Sequence, residues 1–250
     1  MIGSISPSTR LVEINVRSQE LSEKVGEVWL LLELMKTNLP ELTEVLDEIE
    51  FFERERTDRH LVELAILLYN FGVSFRKVAR VLGWIGVERS DVAVWKWVQK
   101  FGQRLGEAGR RPAADLPAVL LMDETAIKQR GQEFTLFTAV DPETRHLIHA
   151  SVAPSRNYLT TRRFLAEIAE LYGRAPPIVV TDGASYGPVF TRIGVTRIIR
   201  RHSVRNRIER WIQELKRRID TFYASFTGND VVTTNNWLRQ FAWVWNVCLS

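Results

Sequence analysis

Apolar residues recur four and three apart through residues 18–36, at Leu21, Val25, Val28, Leu32 and Met35, which predicts a helix with a heptad-like stripe. Such a stripe can form a dimer seam or pack on the next helix. Pro40 suits the first turn of that next helix, expected to run through an acidic stretch to about Arg56. Residues 58–104 read as a compact helical module. Leu61, Leu64, Ala65 and Leu68 form one buried face. Ser74 caps a second helix that contains Val78 and Leu82 and ends at Gly83, and Ser90 caps a third through Val94, Trp97, Val98 and Phe101. Short helices joined by a glycine-containing turn fit a helix-turn-helix, and they fit an ordinary three-helix bundle as well.

The Gly/Pro/Ala-rich stretch 105–117 then reads as a linker, and beyond it the period changes. Ala118–Met122, Phe134–Val140 and His146–Val152 are strand-like, with a turn at Asp141-Pro142. A helix is expected over 159–172, a strand at Ile178–Thr181, a helix over 184–193 and a strand at Thr196–Ile199. Two helices, about 205–225 and 233–249, close the chain. The expected fold class is α/β, a mixed sheet flanked by helices and preceded by an all-α module. The domains expected are a helical segment over 1–57, open to a dimerisation role, the helical module, the linker, and a second domain over 118–250.

Composition narrows the function. With 45% hydrophobic and 26% charged residues over 250 positions, the chain has the make-up of a globular protein. No stretch approaches the roughly 20 apolar residues of a membrane span and the start lacks a signal-peptide pattern, so a cytoplasmic location with no membrane partner is expected. Cys248 is the one cysteine, and His60, His146, His149 and His202 lack metal-ligand spacing. A metal, if used, would be a hard ion on oxygen ligands. The net charge of +4 conceals an asymmetry. Seven acids and one base lie between Glu41 and Glu55, but nine Lys/Arg and two acids lie between Arg197 and Arg218. So dense a basic run fits a polyanionic partner, nucleic acid first, or a solvated helix face.

Three acids carry the chemistry. Asp123 follows the run Ala118–Met122, Asp182 follows Ile178–Thr181, and Glu209 lies within the basic helical pattern. Two carboxylates at strand ends facing one on a helix suit a site for two Mg²⁺ ions and phosphodiester chemistry. Each acid alone also has a structural reading, since Asp after a strand caps helices and Asp182-Gly183 is a turn signal. On the 205–225 helix, Ile208, Ile212, Leu215, Ile219 and Phe222 form the buried stripe, and Asn206, Glu209, Gln213 and Lys216 fall beside it. Glu209 can thus ligate metal while Lys216 grips a phosphate, and Arg205, Arg210 and Arg217 can track a nucleic-acid backbone. In the upstream module Arg89, Ser90, Lys96 and Lys100 are the residues a recognition helix would offer to DNA.

These residues resemble a known family. LAILLYNFGVSFRKVARVLG, VAVWKWVQKF, the MDET run, TDGASY and NRIERWIQELKRRIDTFYASF, spread over about residues 58–249, look like an insertion-sequence transposase of the DDE class, in the IS6-like group. Asn206, Glu209 and Lys216 match that group's last motif, Asn three residues before Glu and a base seven after it. The 26 residues between Asp182 and Glu209 form a shorter interval than is usual there, and nothing in the first 57 matches.

The resemblance implies a ribonuclease-H-like catalytic core whose integrase-type site holds two Mg²⁺, for which Mn²⁺ can substitute, on Asp123, Asp182 and Glu209. It implies nicking of the transposon ends by water and attack of the freed 3′-OH on target DNA. It further implies binding of the terminal inverted repeats by the helix-turn-helix, and action as a homodimer or larger assembly at the prokaryotic nucleoid. Two other classes stay open: a nuclease of the same fold without strand transfer, and a non-catalytic DNA-binding regulator built around the helical module.

Overall fold

The structure is a computed structural model, and it describes residues 39–129, 132–183, 187–200, 213 and 231–249. Its first helix, α1 (Leu39–Glu48), is shorter than the expected run to Arg56. Glu50 turns to a left-handed φ of 53°, its N–H bonds to Asp47 O (2.9 Å), and Phe51 N–H bonds back to Leu46 O (2.9 Å). This closed C-terminal turn satisfies the last carbonyls and buries Phe51, which stops the helix.

Helices α2 (Arg59–Asn70), α3 (Phe75–Trp84) and α4 (Asp91–Glu107) follow the expected pattern. Ser90 Oγ accepts from Ala93 N–H at 3.2 Å, capping α4 as its sequence position suggests. The helix runs on to Glu107, well into the stretch expected to be linker.

The sheet comprises β1 (Val119–Gln129), β2 (Gln132–Val140), β3 (Leu147–Ala153), β4 (Ile178–Thr181) and β5 (Thr196–Ile199), in the order β3-β2-β1-β4-β5. The β1–β2 and β2–β3 pairs are antiparallel; β1–β4 and β4–β5 are parallel. Helix α5 (Tyr158–Tyr172) is the crossover from β3 to β4, and α6 (Gly187–Arg192) lies between β4 and β5. A last helix, α7 (Val231–Val244), ends in a π-helical turn at Trp245–Leu249. A meander of three antiparallel strands continued by two parallel ones, with helices on both faces, is the ribonuclease-H-like arrangement.

Strand alternation divides the core between the two faces. Leu120, Met122, Phe137 and Val179 meet Phe164, Leu165 and Ile168 of α5 and Val189 and Phe190 of α6. Leu121, Leu136, Val140 and Val180 face the other way, into the cluster that holds Trp237, Leu238 and Phe241 of α7. That cluster continues into the helical module. Trp237 Nε1–H donates to Tyr69 Oη (2.7 Å), Tyr69 stacks on Phe75 at 4.1 Å, and Asn70 Nδ2 donates to Gln240 Oε1 (2.9 Å). The sheet and the module therefore share one core through α7, which buries apolar surface on both sides.

The open edge of β3 is also covered from α7. Asn235 Oδ1 accepts from Val152 N–H (2.9 Å), and Asn246 Oδ1 accepts from Leu147 N–H (2.8 Å). Asn246 Nδ2 returns a bond to Leu147 O (2.9 Å). Side-chain amides thus satisfy edge groups that would otherwise recruit another strand.

Candidate active site

The parallel pairing of β1 with β4 sets the site. Val119, Leu120 and Leu121 pair with Ile178, Val179 and Val180. Two residues beyond the last pair come Asp123, still within β1, and Asp182, the first residue after β4, so the register brings both to the same end of the ladder. Alternation within β1 puts Asp123 on the face of Leu121, the α7 side of the sheet.

The two aspartates are held differently. Asp123 was expected at a strand end, yet β1 continues to Gln129 because β2 supplies a full antiparallel partner, from Asp123↔Thr138 to Gln129↔Gln132. Only the parallel ladder stops short of it, at Leu121↔Val180. Its backbone is fixed in the hairpin, and Asp123 O accepts from Thr138 Oγ1 at 3.2 Å. Asp182 is exposed directly after β4 and precedes Gly183, whose φ of 112° is a conformation that favours glycine. One carboxylate thus sits on a rigid strand and the other at the mouth of a turn.

The sequence reading missed Glu124. Alternation places it on the face of Leu120 and Met122, and its side chain is only 3% exposed. Arg156, from the loop before α5, reaches it with Nη2 2.7 Å from Glu124 Oε1. Burial pushes the Glu124 carboxyl up to about 7; the Arg156 charge opposes that rise, the charges of Asp123 and Asp182 add to it, and Arg197 opposes it. Arg197 donates from Nε to Thr181 Oγ1 (2.9 Å) and lies 5.2 Å from the Phe190 ring centre. Burial lowers its own pKa, against the opposing charges of Glu124 and Asp182. Arg156 and Arg197 thus brace the inner face of the sheet behind the two aspartates. Continued alternation past Asp123 was the signal that could have found Glu124, because a β1 extended by one residue puts an acid on a buried face.

The remaining expected site residues separate into three groups. Glu209, Asn206, Lys216, Arg205, Arg210 and Arg217 lie outside the described residues. Lys96 is exposed on α4. Arg89, Ser90 and Lys100 make internal contacts: Arg89 Nε donates to Thr57 Oγ1 (3.0 Å), Ser90 is the α4 cap, and the Lys100 ammonium donates to the carbonyls of Phe51 and Glu53. Lys100 Nζ also lies 4.8 Å from the Phe51 ring centre, and burial lowers its pKa. It ties α4 to the turn after α1.

Asp123 and Asp182 supply oxygen donors only, the chemistry that hard divalent cations select. Among the described residues no group of three or more His, Cys, Asp and Glu has the form of a metal site.

Residues 118–235, which contain both aspartates and Glu124, match the family model of the DDE domain. Over 153 residues the chain is 22% identical to the transposase for insertion sequence element IS257 in transposon Tn4003 of Staphylococcus aureus. That match covers 61% of this chain and 66% of the relative. Residues 118–235 thus have the form of a DDE domain, and the chain is similar to insertion-sequence transposases. The IS6-like group expected from the motifs agrees with this placement. The chain is also 27% identical over 213 residues to an uncharacterized protein of Methanocaldococcus jannaschii, covering 85% of this chain and 97% of that one. Among solved structures, the HTLV-2 integrase catalytic core domain in complex with magnesium aligns with a TM-score of 0.38 and 16% identity, over 49% of this chain and 84% of that one.

Proposed function

We propose that this chain binds the terminal inverted repeats of an insertion sequence, hydrolyses a phosphodiester bond at each end and joins the freed 3′-OH ends to target DNA. The observation that carries this reading is the register of Asp123 with Asp182 at the end of a parallel ladder, inside a DDE domain. Ligands of open α/β sheets gather at such strand ends.

Asp123 and Asp182, with Glu209 as the third carboxylate, would hold Mg²⁺, or Mn²⁺ in its place. Divalent ions bound there supply activation of the attacking oxygen and stabilisation of the leaving one. The protein's share is positioning. The β1–β2 hairpin fixes Asp123, the turn at Gly183 aims Asp182, and the Glu124–Arg156 pair holds the strand beneath them. Lys216 and Asn206 would orient the scissile phosphate, while Arg205, Arg210 and Arg217 follow the backbone of the DNA. The three helices α2–α4 act as the helix-turn-helix that recognises the ends, with Lys96 on the exposed side of α4. Pairing two ends calls for a homodimer or larger assembly, working in the cytoplasm at the nucleoid. No helix among the described residues is long and apolar enough to cross a membrane.

The test is strand transfer by the purified full chain on DNA carrying the element's ends, with Mg²⁺. Joined product should appear with the wild type and vanish in Asp123→Ala, Asp182→Ala and Glu209→Ala, with end binding kept. Nicking without joining would instead identify a nuclease, and undiminished joining in all three variants would sink the reading.

A further inference from the structure

Helix α3 carries three bases, Arg76, Lys77 and Arg80, and no acid. At about 100° per residue, Arg76, Lys77, Arg80 and Trp84 fall within an arc of roughly 100°, opposite the buried Phe75, Val78 and Leu82. All four are exposed, and Trp84 is the most exposed large apolar side chain among the described residues, at 77%. None of the three bases forms an ion pair with a described residue. Arg76 to Trp84 spans about 12 Å of helix axis at about 1.5 Å per residue.

Gly83 lies beside Trp84 on the same strip. A Cβ there would meet nothing within 4 Å, and its φ lies outside the glycine-favouring range. Neither packing within the chain nor backbone geometry calls for glycine, which costs a helix stability relative to alanine. Its effect is to leave the strip beside the indole open to a close approach.

We propose that this strip of α3 is a nucleic-acid contact separate from the exposed face of α4. Arg76, Lys77 and Arg80 follow consecutive phosphates, and Trp84 stacks on a base left unstacked where the duplex opens. The inference rests on the DNA-binding reading above and names a surface that the sequence had not singled out. The occupant follows from the neighbours of the indole. An apolar docking patch needs contiguous apolar surface, whereas the residue one turn before Trp84 on this strip is Arg80, with Lys77 and Arg76 beyond it. Cations in a row ending in an aromatic plane are the two parts of a single-strand-tolerant binding strip, since every base has a π-face.

The test uses the full chain and two DNAs, a blunt duplex carrying the element's end and the same duplex with a single-stranded 3′ extension. Their binding is measured by fluorescence anisotropy over a salt series. The variant R76A/K77A/R80A should bind both more weakly, with a log–log salt slope shallower by about 3, given about 0.9 for each phosphate that a base neutralises. Trp84→Ala should lose about tenfold in affinity for the extended DNA, with little change on the blunt one, and Trp84→Phe should restore most of it. All these positions are exposed, so thermal melting should match the wild type.

An unchanged salt slope in the triple variant, or equal effects of Trp84→Ala on both DNAs, overturns the inference. So does a change of oligomeric state in Trp84→Ala without DNA, which would make the indole a contact between copies of the chain. A wild type that binds neither DNA overturns this inference together with the DNA-binding reading. Wild-type binding with an unaffected triple variant overturns this inference alone.

Discussion

Asp123 and Asp182 are 59 positions apart in the chain, yet each comes two residues after its member of the Leu121↔Val180 pair, the last of a parallel ladder. The crossover through α5 brings β4 alongside β1, and the register then fixes which residues meet. A shift by one residue would send one carboxylate to the α5 face. Asp123→Asn and Asp182→Asn keep the shape and remove the charge. Each should lower strand transfer by about a thousandfold or more, about 4 kcal/mol of transition-state stabilisation. Thermal melting should be little affected in either. Activity within tenfold of wild type in both would show that neither is a metal ligand.

Arg156 and Glu124 form a buried-to-surface ion pair at 2.7 Å, with the carboxylate on the buried side. Arg156→Met removes its partner and should cost about 3 kcal/mol of stability, the scale for breaking one side of such a pair. Adding Glu124→Gln to that variant should recover a good part of the loss, because a neutral amide tolerates burial better than a lone carboxylate. Urea denaturation of the two single variants and the double variant measures the coupling. Strictly additive losses would mean that the pair does not act as a unit.

Acid sensitivity should come in part from Glu167 on α5. Burial opposes its ionisation, but His149 (3.1 Å from Nε2), Ser151 (3.0 Å from Oγ) and Arg163 (2.9 Å from Nε) outweigh that and hold its pKa at about 2. The folded value lies below the ordinary 4.5, so the folded state favours the ionised form. The associated stability is present in full above pH 4.5 and is lost as pH falls toward 2. The expected size is about 2–3 kcal/mol. Stability curves at pH 6 and pH 3 should therefore converge in Glu167→Gln. An undiminished pH dependence in that variant would place the acid sensitivity elsewhere.

Gly102 on α4 lies against the backbone of α7, where an added Cβ would overlap the Asn236 carbonyl. Alanine usually stabilises an exposed helix interior relative to glycine by up to about 1 kcal/mol. Here Gly102→Ala should destabilise instead, by about 1–3 kcal/mol, since α4 and α7 must move apart. The sign alone decides the matter. A raised denaturation midpoint would mean that the crossing is looser than the structure shows.

Lys96 and Lys100 lie one helical turn apart and should separate cleanly. Lys100→Ala removes the tie to the Phe51 and Glu53 carbonyls and should lower stability by about 1–2 kcal/mol, leaving the salt slope of DNA binding unchanged. Lys96→Ala should do the reverse, reducing the slope by about 0.9 at constant stability. Melting curves and salt titrations of both variants give the answer directly.

Much of the architecture was legible in the pattern of side chains. The strand Ile178–Thr181, the cap Ser90, the crossover helix and the mixed sheet follow from local periodicity and capping, which depend on neighbours only a few residues away, whereas Ser74 precedes α3 without a side-chain capping bond. The family motif picked out Asp123 and Asp182 for the same reason, as short runs read along the chain. Other features escaped because they depend on partners distant in sequence. β2 carries β1 beyond Asp123, and Arg156 meets Glu124 behind the sheet. The Phe51 and Glu53 carbonyls turn Lys100 inward, and α7 joins the helical module to the sheet through Tyr69 and Trp237. Which segments become helix or strand, and which acids end apolar runs, are matters of local backbone preference and hydrophobic period, legible along the chain. The pairing of β1 with β4 was needed to bring Asp123 and Asp182 to one end of a ladder, with Glu124 on the opposite face of β1 from Asp123. Register and strand face are settled by hydrogen bonding and burial between distant segments.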